Sequence, residues 1–119
     1  MKATALVFGA LTTAIGCGPP PCTDEARSSI EVTVLDDAGH GVTDAHVTFQ
    51  APTAASPADC SSIGPQGDVY TCGFEVEGKI HVFVTADGFD PADNFATVTK
   101  TPDLCHVVTQ TLTFLLTPS

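Results

Sequence analysis

The chain has no tryptophan, one tyrosine and one methionine, and its four lysine and arginine residues face fourteen aspartates and glutamates, a net charge of -10. Without indoles, any core must be built from Val, Leu, Ile and Phe. With so few bases, scattered far apart, the chain is repelled by nucleic acid and by anionic head groups, and nucleic-acid binding is excluded. The acidity itself serves solubility. No apolar run reaches the roughly 20 residues that a membrane-spanning helix needs. No C-x-x-C spacing occurs among the five cysteines, which argues against zinc held by thiolates. No histidine has a glutamate three residues on, so the His-x-x-Glu pair of a zinc carboxypeptidase is missing. Asp59-Cys60-Ser61-Ser62-Ile63-Gly64 is not a G-x-S-x-G nucleophile elbow either. No enzyme is expected, and no cofactor.

What is present begins with Met1-Lys2, followed by a thirteen-residue apolar run from Ala3 to Ile15 that contains Thr12 and Thr13. Ala14-Ile15-Gly16-Cys17 closes it with small residues before the thiol, which reads as a secretory leader. This segment resembles the leader of bacterial lipoproteins, matching their lipobox at Gly16 and Cys17 and departing from it at Ala14, where leucine is usual. The resemblance implies a signal peptide over 1–16, lipidation of Cys17 and permanent attachment to a membrane, since each buried methylene contributes about 0.8 kcal/mol and more than one acyl chain is involved. The alternative is an ordinary leader cut elsewhere. Gly18 stands where some bacteria use aspartate to retain lipoproteins at the inner membrane, which points to the outer membrane, facing the periplasm or the cell surface. Gly18-Pro19-Pro20-Pro21 opens a stiff tether over 17–28. Removal of the leader leaves Arg27, Lys79 and Lys100 as the basic side chains.

The remainder, about 100 residues, is one domain with a modest core. Ser29 to Leu35 alternates Ile30, Val32 and Val34 with Glu31 and Thr33, the period of a half-buried strand. Asp36-Asp37-Ala38-Gly39 supplies turn chemistry. A second strand is expected over Ala45 to Gln50, with Ala45, Val47 and Phe49 inward. Ala51 to Gly67, rich in Pro, Ala and Ser, reads as a long loop. Extended structure resumes at Val69 to Phe74 and is clearest at Lys79 to Ala86, where Ile80, Val82 and Val84 alternate with His81, Phe83 and Thr85. Asp87-Gly88-Phe89 turns the chain into a weaker strand over Phe95 to Lys100. A long final strand is expected over His106 to Leu116, with a bulge near Thr109 to Thr111. Some seven short strands at regular spacing predict an all-β, antiparallel two-sheet β-sandwich spanning 29–117.

Val32-x-Val34-x-Asp36-x-x-Gly39-x-x-Val42-x-x-Ala45-x-Val47, Gly67-Asp68-Val69-Tyr70 and Gly78-x-Ile80-x-Val82-x-Val84-x-Ala86-x-Gly88-Phe89 resemble segments of carboxypeptidase regulatory-like domains, the transthyretin-like sandwiches. The likeness runs from Ile30 to Leu116. It departs at the long Ala/Pro loop, at Ile80 where an aromatic residue is frequent, and in the cysteines. It implies a two-sheet domain that accompanies catalytic or transport modules without performing chemistry. The transthyretin-like hydrolases end in Tyr-Arg-Gly-Ser, whereas this chain ends Leu115-Leu116-Thr117-Pro118-Ser119. With Cys17 set aside, Cys22, Cys60, Cys72 and Cys105 form an even set suited to two disulfides in an oxidising compartment. Three pairings are possible. Cys60 with Cys72 makes a local staple, and the resemblance places the first and last strands side by side, which favours Cys22 with Cys105.

Two candidate sites remain. His81 and Phe83, outward on the clearest strand, offer a small aromatic and hydrogen-bonding platform for a sugar or a partner protein, or are merely the half-covered side of a sheet. Asp87, Asp90 and Asp93 could wrap a calcium ion, although their spacing is not that of an EF-hand loop. The function expected is a non-catalytic, membrane-anchored envelope lipoprotein that binds, adapts or supports. Its partner is the membrane through the lipid, together with an envelope protein or polysaccharide. The alternatives are a surface carbohydrate-binding module and an accessory domain of a hydrolase or a cryptic enzyme.

Overall fold

The computed structural model describes residues 22–119, so the expected leader, the lipidation site Cys17 and the prolines of the tether lie outside the described residues. Eight strands are formed: β1 Ser28–Leu35, β2 His46–Gln50, β3 Ala58–Asp59, β4 Ser61–Ile63, β5 Val69–Phe74, β6 Gly78–Thr85, β7 Ala92–Val98 and β8 Gln110–Leu115. They make two four-stranded sheets, in the orders β4-β5-β1-β8 and β3-β2-β6-β7. Packed face to face, the sheets form a β-sandwich, with no helix among the described residues.

The alternation along β1 and β6 decides the layering. Ile30, Val32 and Val34 on β1 and Ile80, Val82 and Val84 on β6 are all 0 % exposed and face one another across the sandwich. Val47, Tyr70, Cys72, Val98, Val107, Phe114 and Leu116 complete the core, with Ala45, Phe49 and Leu112 packed against it. The Tyr70 hydroxyl donates to the Ala45 carbonyl at 3.2 Å, tying one sheet to the approach to the other. Burial first, then the nearby Asp44 and Asp68, raise its phenol pKa, against the lowering effect of that bond. Ser29 is buried too, and its hydroxyl satisfies both polar groups of one residue, donating to the Val76 carbonyl (2.8 Å) and accepting from the Val76 amide (2.7 Å).

The turn after β1 follows the chemistry of its first residue. Asp36 Oδ1 accepts from the amides of Ala38 and His40, both at 2.9 Å. Gly39 takes the left-handed conformation, φ 86°, that the turn demands. The His40 amide, above all, holds the Asp36 carboxyl below its ordinary range.

Four expectations are corrected. The segment read as a long loop contains β3 and β4, which bring the strand number to eight. Here the chain passes from one sheet to the other at Cys60, whose amide donates to the Val47 carbonyl at 2.9 Å and whose sulfur is bonded to Cys72 on β5. The sandwich is not purely antiparallel: β1 pairs with β8 in parallel, from Ile30 opposite Gln110 to Leu35 opposite Leu115. The final strand begins at Gln110 rather than His106. Residues 106–108 pair instead with the chain leaving β7, through a Lys100–Val107 bridge and a Val108 amide bond to the Thr99 carbonyl (2.8 Å), so no bulged β8 is needed. β7 starts at Ala92, three residues before the expected Phe95, because the β6–β7 hairpin continues pairing up to Val84 opposite Ala92.

Candidate functional site: an aromatic column on one sheet face

Strand pairing gathers one set of side chains on the outer face of the β3-β2-β6-β7 sheet. On β6 these are Lys79, His81, Phe83 and Thr85, alternating with the buried residues. Directly opposite on β7, His81 meets Phe95 and Phe83 meets Asp93. On the other side, Thr48 lies opposite Phe83, Gln50 opposite His81 and His46 opposite Thr85. His46 reaches Asp59 of β3, Nε2 to Oδ1 at 3.1 Å.

The rings on this face touch in series. The His81 imidazole stacks on Phe95 with centroids 4.0 Å apart and planes 19° from parallel, and it also meets Phe83 at 3.9 Å with a 38° tilt. Lys79 Nζ sits 4.7 Å from the centre of the Phe95 ring, a cation on a π face. His81 is oriented by Asp93, its Nε2 hydrogen-bonded to Oδ2 at 2.6 Å. The result is a column in the order Lys79, Phe95, His81, Phe83.

Its Phe83 end opens on a depression of about 400 Å³ lined by Phe83, Val84, Thr85, Pro91, Ala92 and Asp93. Val84 opposite Ala92 forms the floor, because both side chains turn inward. A second depression, about 290 Å³, lies at the sandwich end between Asp36, Asp44, Asp87 and Phe89.

The platform expected at His81 and Phe83 is thus a contiguous pair in the structure. Phe95, 45 % exposed, is its missing third ring. The signal was present in the sequence, because a hairpin closing through Asp87-Gly88-Phe89 sets each residue of one strand opposite one of the other. Pairing His81 with Phe95 required only the register. The calcium trio is not assembled. Asp93 is engaged by His81, the Asp90 amide bonds the Thr117 carbonyl at 2.8 Å, and Asp87 lines the other depression. Among the described residues no group of three or more His, Cys, Asp or Glu is gathered to hold a metal.

The cysteines are joined as Cys22–Cys105 and Cys60–Cys72. The first lies beside a polar network unseen in the sequence. Glu75, in the left-handed region at φ 56°, turns its carboxylate toward the chain before β8. There Oε2 lies 2.6 Å from Nδ1 of His106, itself only 6 % exposed, and accepts from the Arg27 amide at 3.1 Å, while Oε1 accepts from the Val107 amide at 2.9 Å. His106 Nε2 in turn lies 2.8 Å from the Thr23 hydroxyl. Hydroxyl, imidazole and carboxylate stand in the order of a catalytic triad. Here, however, Thr23 is also bonded to Glu25 at 3.0 Å and both oxygens of Glu75 hold backbone amides. The network therefore fastens three chain segments together.

The His106 hydrogen bond, followed by the amide bonds of Arg27 and Val107, lowers the Glu75 pKa from an ordinary 4.5 to about 2. A carboxyl depressed on folding contributes stability that is full above its unfolded pKa and is lost as pH falls through the folded one. Wild type is therefore expected to lose melting temperature between pH 4.5 and pH 2. Glu75→Gln should melt lower at pH 7 and fall less steeply in that window. Parallel melting curves for the two proteins would show that Glu75 has no such role.

No protein-family model matches the chain, and no curated protein matches it.

Proposed function

We propose that this protein is a non-catalytic binding module of the cell envelope, exported and held through lipid on Cys17 at the outer membrane, and that it engages a polysaccharide through the outer face of the β3-β2-β6-β7 sheet. The observation that carries the reading is the column Phe95–His81–Phe83 ending at the 400 Å³ depression. Aromatic rings stacked on a rigid sheet, flanked by the hydroxyls of Thr48 and Thr85, the amide of Gln50 and the carboxylate of Asp93, suit a ligand with apolar ring surfaces and many hydroxyls. Two disulfides fit an oxidising compartment. The sequence likeness to carboxypeptidase regulatory-like, transthyretin-like domains supports a module that binds or supports rather than reacts, by fold analogy.

The test uses the whole protein extracted from its own membranes in detergent, with the acyl adduct on Cys17 checked by intact mass. Wild type is expected to be retained by envelope polysaccharide in affinity electrophoresis. Phe83→Ala should weaken retention about 10- to 100-fold, the worth of one buried aromatic side chain. Absence of retention by the wild type on any polysaccharide, or equal retention of the variant, would overturn the reading. A wild-type mass without acyl chains would remove the anchor from it.

A further inference from the structure

Resting on the polysaccharide reading above, we infer that the depression at the Phe83 end of the column takes a sugar unit carrying a free amine, so that the ligand is an amino-sugar polymer with unacetylated positions.

Four outward side chains stand around the depression: Phe83 and Thr85 from β6, Pro91 and Asp93 from the β7 side. Phe83 and Pro91 offer apolar surface for a ring face, and Thr85 offers a hydroxyl. Asp93 is the charged group. Among the described residues its hydrogen-bond partner is His81, which occupies Oδ2 and leaves Oδ1 for a ligand. The carboxylate is exposed, with 57 % of its side chain accessible, and it stands beside apolar walls that lower the dielectric on one side.

Among the described residues no lysine or arginine lines this depression. Lys79 lies at the opposite end of the column over Phe95, while Lys100 pairs with Glu77 at 3.7 Å and Arg27 with Glu25 at 3.8 Å. An ammonium on the ligand would therefore answer Asp93 directly and lie beside the π face of Phe83. A uronic acid in the same place would meet Asp93 with no lysine or arginine beside it, so the site also discriminates by repulsion. The net charge of -10 adds a long-range field of the same sign, which draws polyamines and turns acidic glycans away.

The experiment measures binding of the whole, detergent-solubilised protein to three probes at a pH where the amine is charged: a glucosamine hexamer, its fully N-acetylated counterpart and a polygalacturonate oligomer. The free-amine hexamer is expected to bind at least tenfold more tightly than the acetylated one, and the acidic oligomer not at all. Asp93→Asn, which keeps a polar partner for His81, should abolish the preference, so that the two hexamers bind it alike. Glu31→Gln, an equal change of charge on the outer face of the other sheet, should keep the preference.

Equal binding of the two hexamers by the wild type would overturn the inference while leaving the polysaccharide reading intact. An equal loss in Asp93→Asn and Glu31→Gln would also overturn it, because the attraction would then belong to the whole acidic chain. Retention of no glycan of any kind would sink both.

Discussion

Replacing Cys22 and Cys105 together by serine is expected to lower stability by about 4.5 kcal/mol, the chain-entropy value for so long a loop, and the melting temperature by about 20 °C. The bond joins residues 83 apart, so it restricts nearly all of the described chain when unfolded. Loss of Cys60–Cys72, whose partners are 12 apart, is expected to cost less, about 3 kcal/mol. A domain of this size has only about 5–15 kcal/mol in total, so the longer bond separates a robust fold from a marginal one. The Thr23–His106–Glu75 network spans the same junction and would persist in part without the sulfurs. Thermal melts of the two double-serine variants decide the matter. A Cys22→Ser, Cys105→Ser protein melting within a few degrees of wild type would show that the polar network alone holds the junction.

The second large effect is expected at Ile80, which is 0 % exposed at the middle of the sandwich. Ile80→Ala removes three carbons from a site framed by both sheets and should destabilise by about 2–5 kcal/mol, a fall of about 10–25 °C. Phe83 lies three residues on, along the same strand and facing the opposite way. Its replacement by alanine gives up ring contacts on the surface, about 1 kcal/mol, and leaves the core whole. The pair therefore separates two roles: Ile80→Ala should melt early, and Phe83→Ala should melt near wild type but lose its ligand. An early melt for Phe83→Ala would make the aromatic column structural. Calorimetry and affinity electrophoresis on the same two proteins measure both quantities.

The parts of this fold legible in the sequence are those decided locally. Ile30, Val32 and Val34, and again Ile80, Val82 and Val84, state their burial by alternation, because a strand with one wet face can satisfy it in only one register. Asp36 to Gly39 announced its turn through side-chain bonds made within four residues. What stayed hidden depends on distant groups. Ala58-Asp59 and Ser61-Ser62-Ile63 are too short and too polar for any period to show, and they form strands because the Cys60–Cys72 bond pins the corner between them. The start of β8 shifted because Glu75 captures the Val107 amide from 32 residues away. The parallel pairing of β1 with β8 rests on contacts between the two ends of the chain. At the site, His81 and Phe83 were readable from one strand alone, whereas Phe95 and the orienting contact of Asp93 needed the neighbouring strand in register.

The parallel run of β1 beside β8 also gives the molecule a near and a far end. Cys22, Thr23 and the start of β1 lie at one end with the chain leading into β8, whereas Leu35 accepts from the Leu116 amide at the other, where residues 117–119 meet Gly88 and Phe89 of the β6–β7 turn. Thr85 and Pro91, flanking that turn, belong to the far end. For a chain anchored at Cys17, the ligand depression is then carried outward by the length of an eight-residue strand, roughly 25 Å at about 3.3 Å per residue. On the proposed reading, the lipid and the ligand would then be met at opposite poles, and a polymer would not need to approach the bilayer to be grasped.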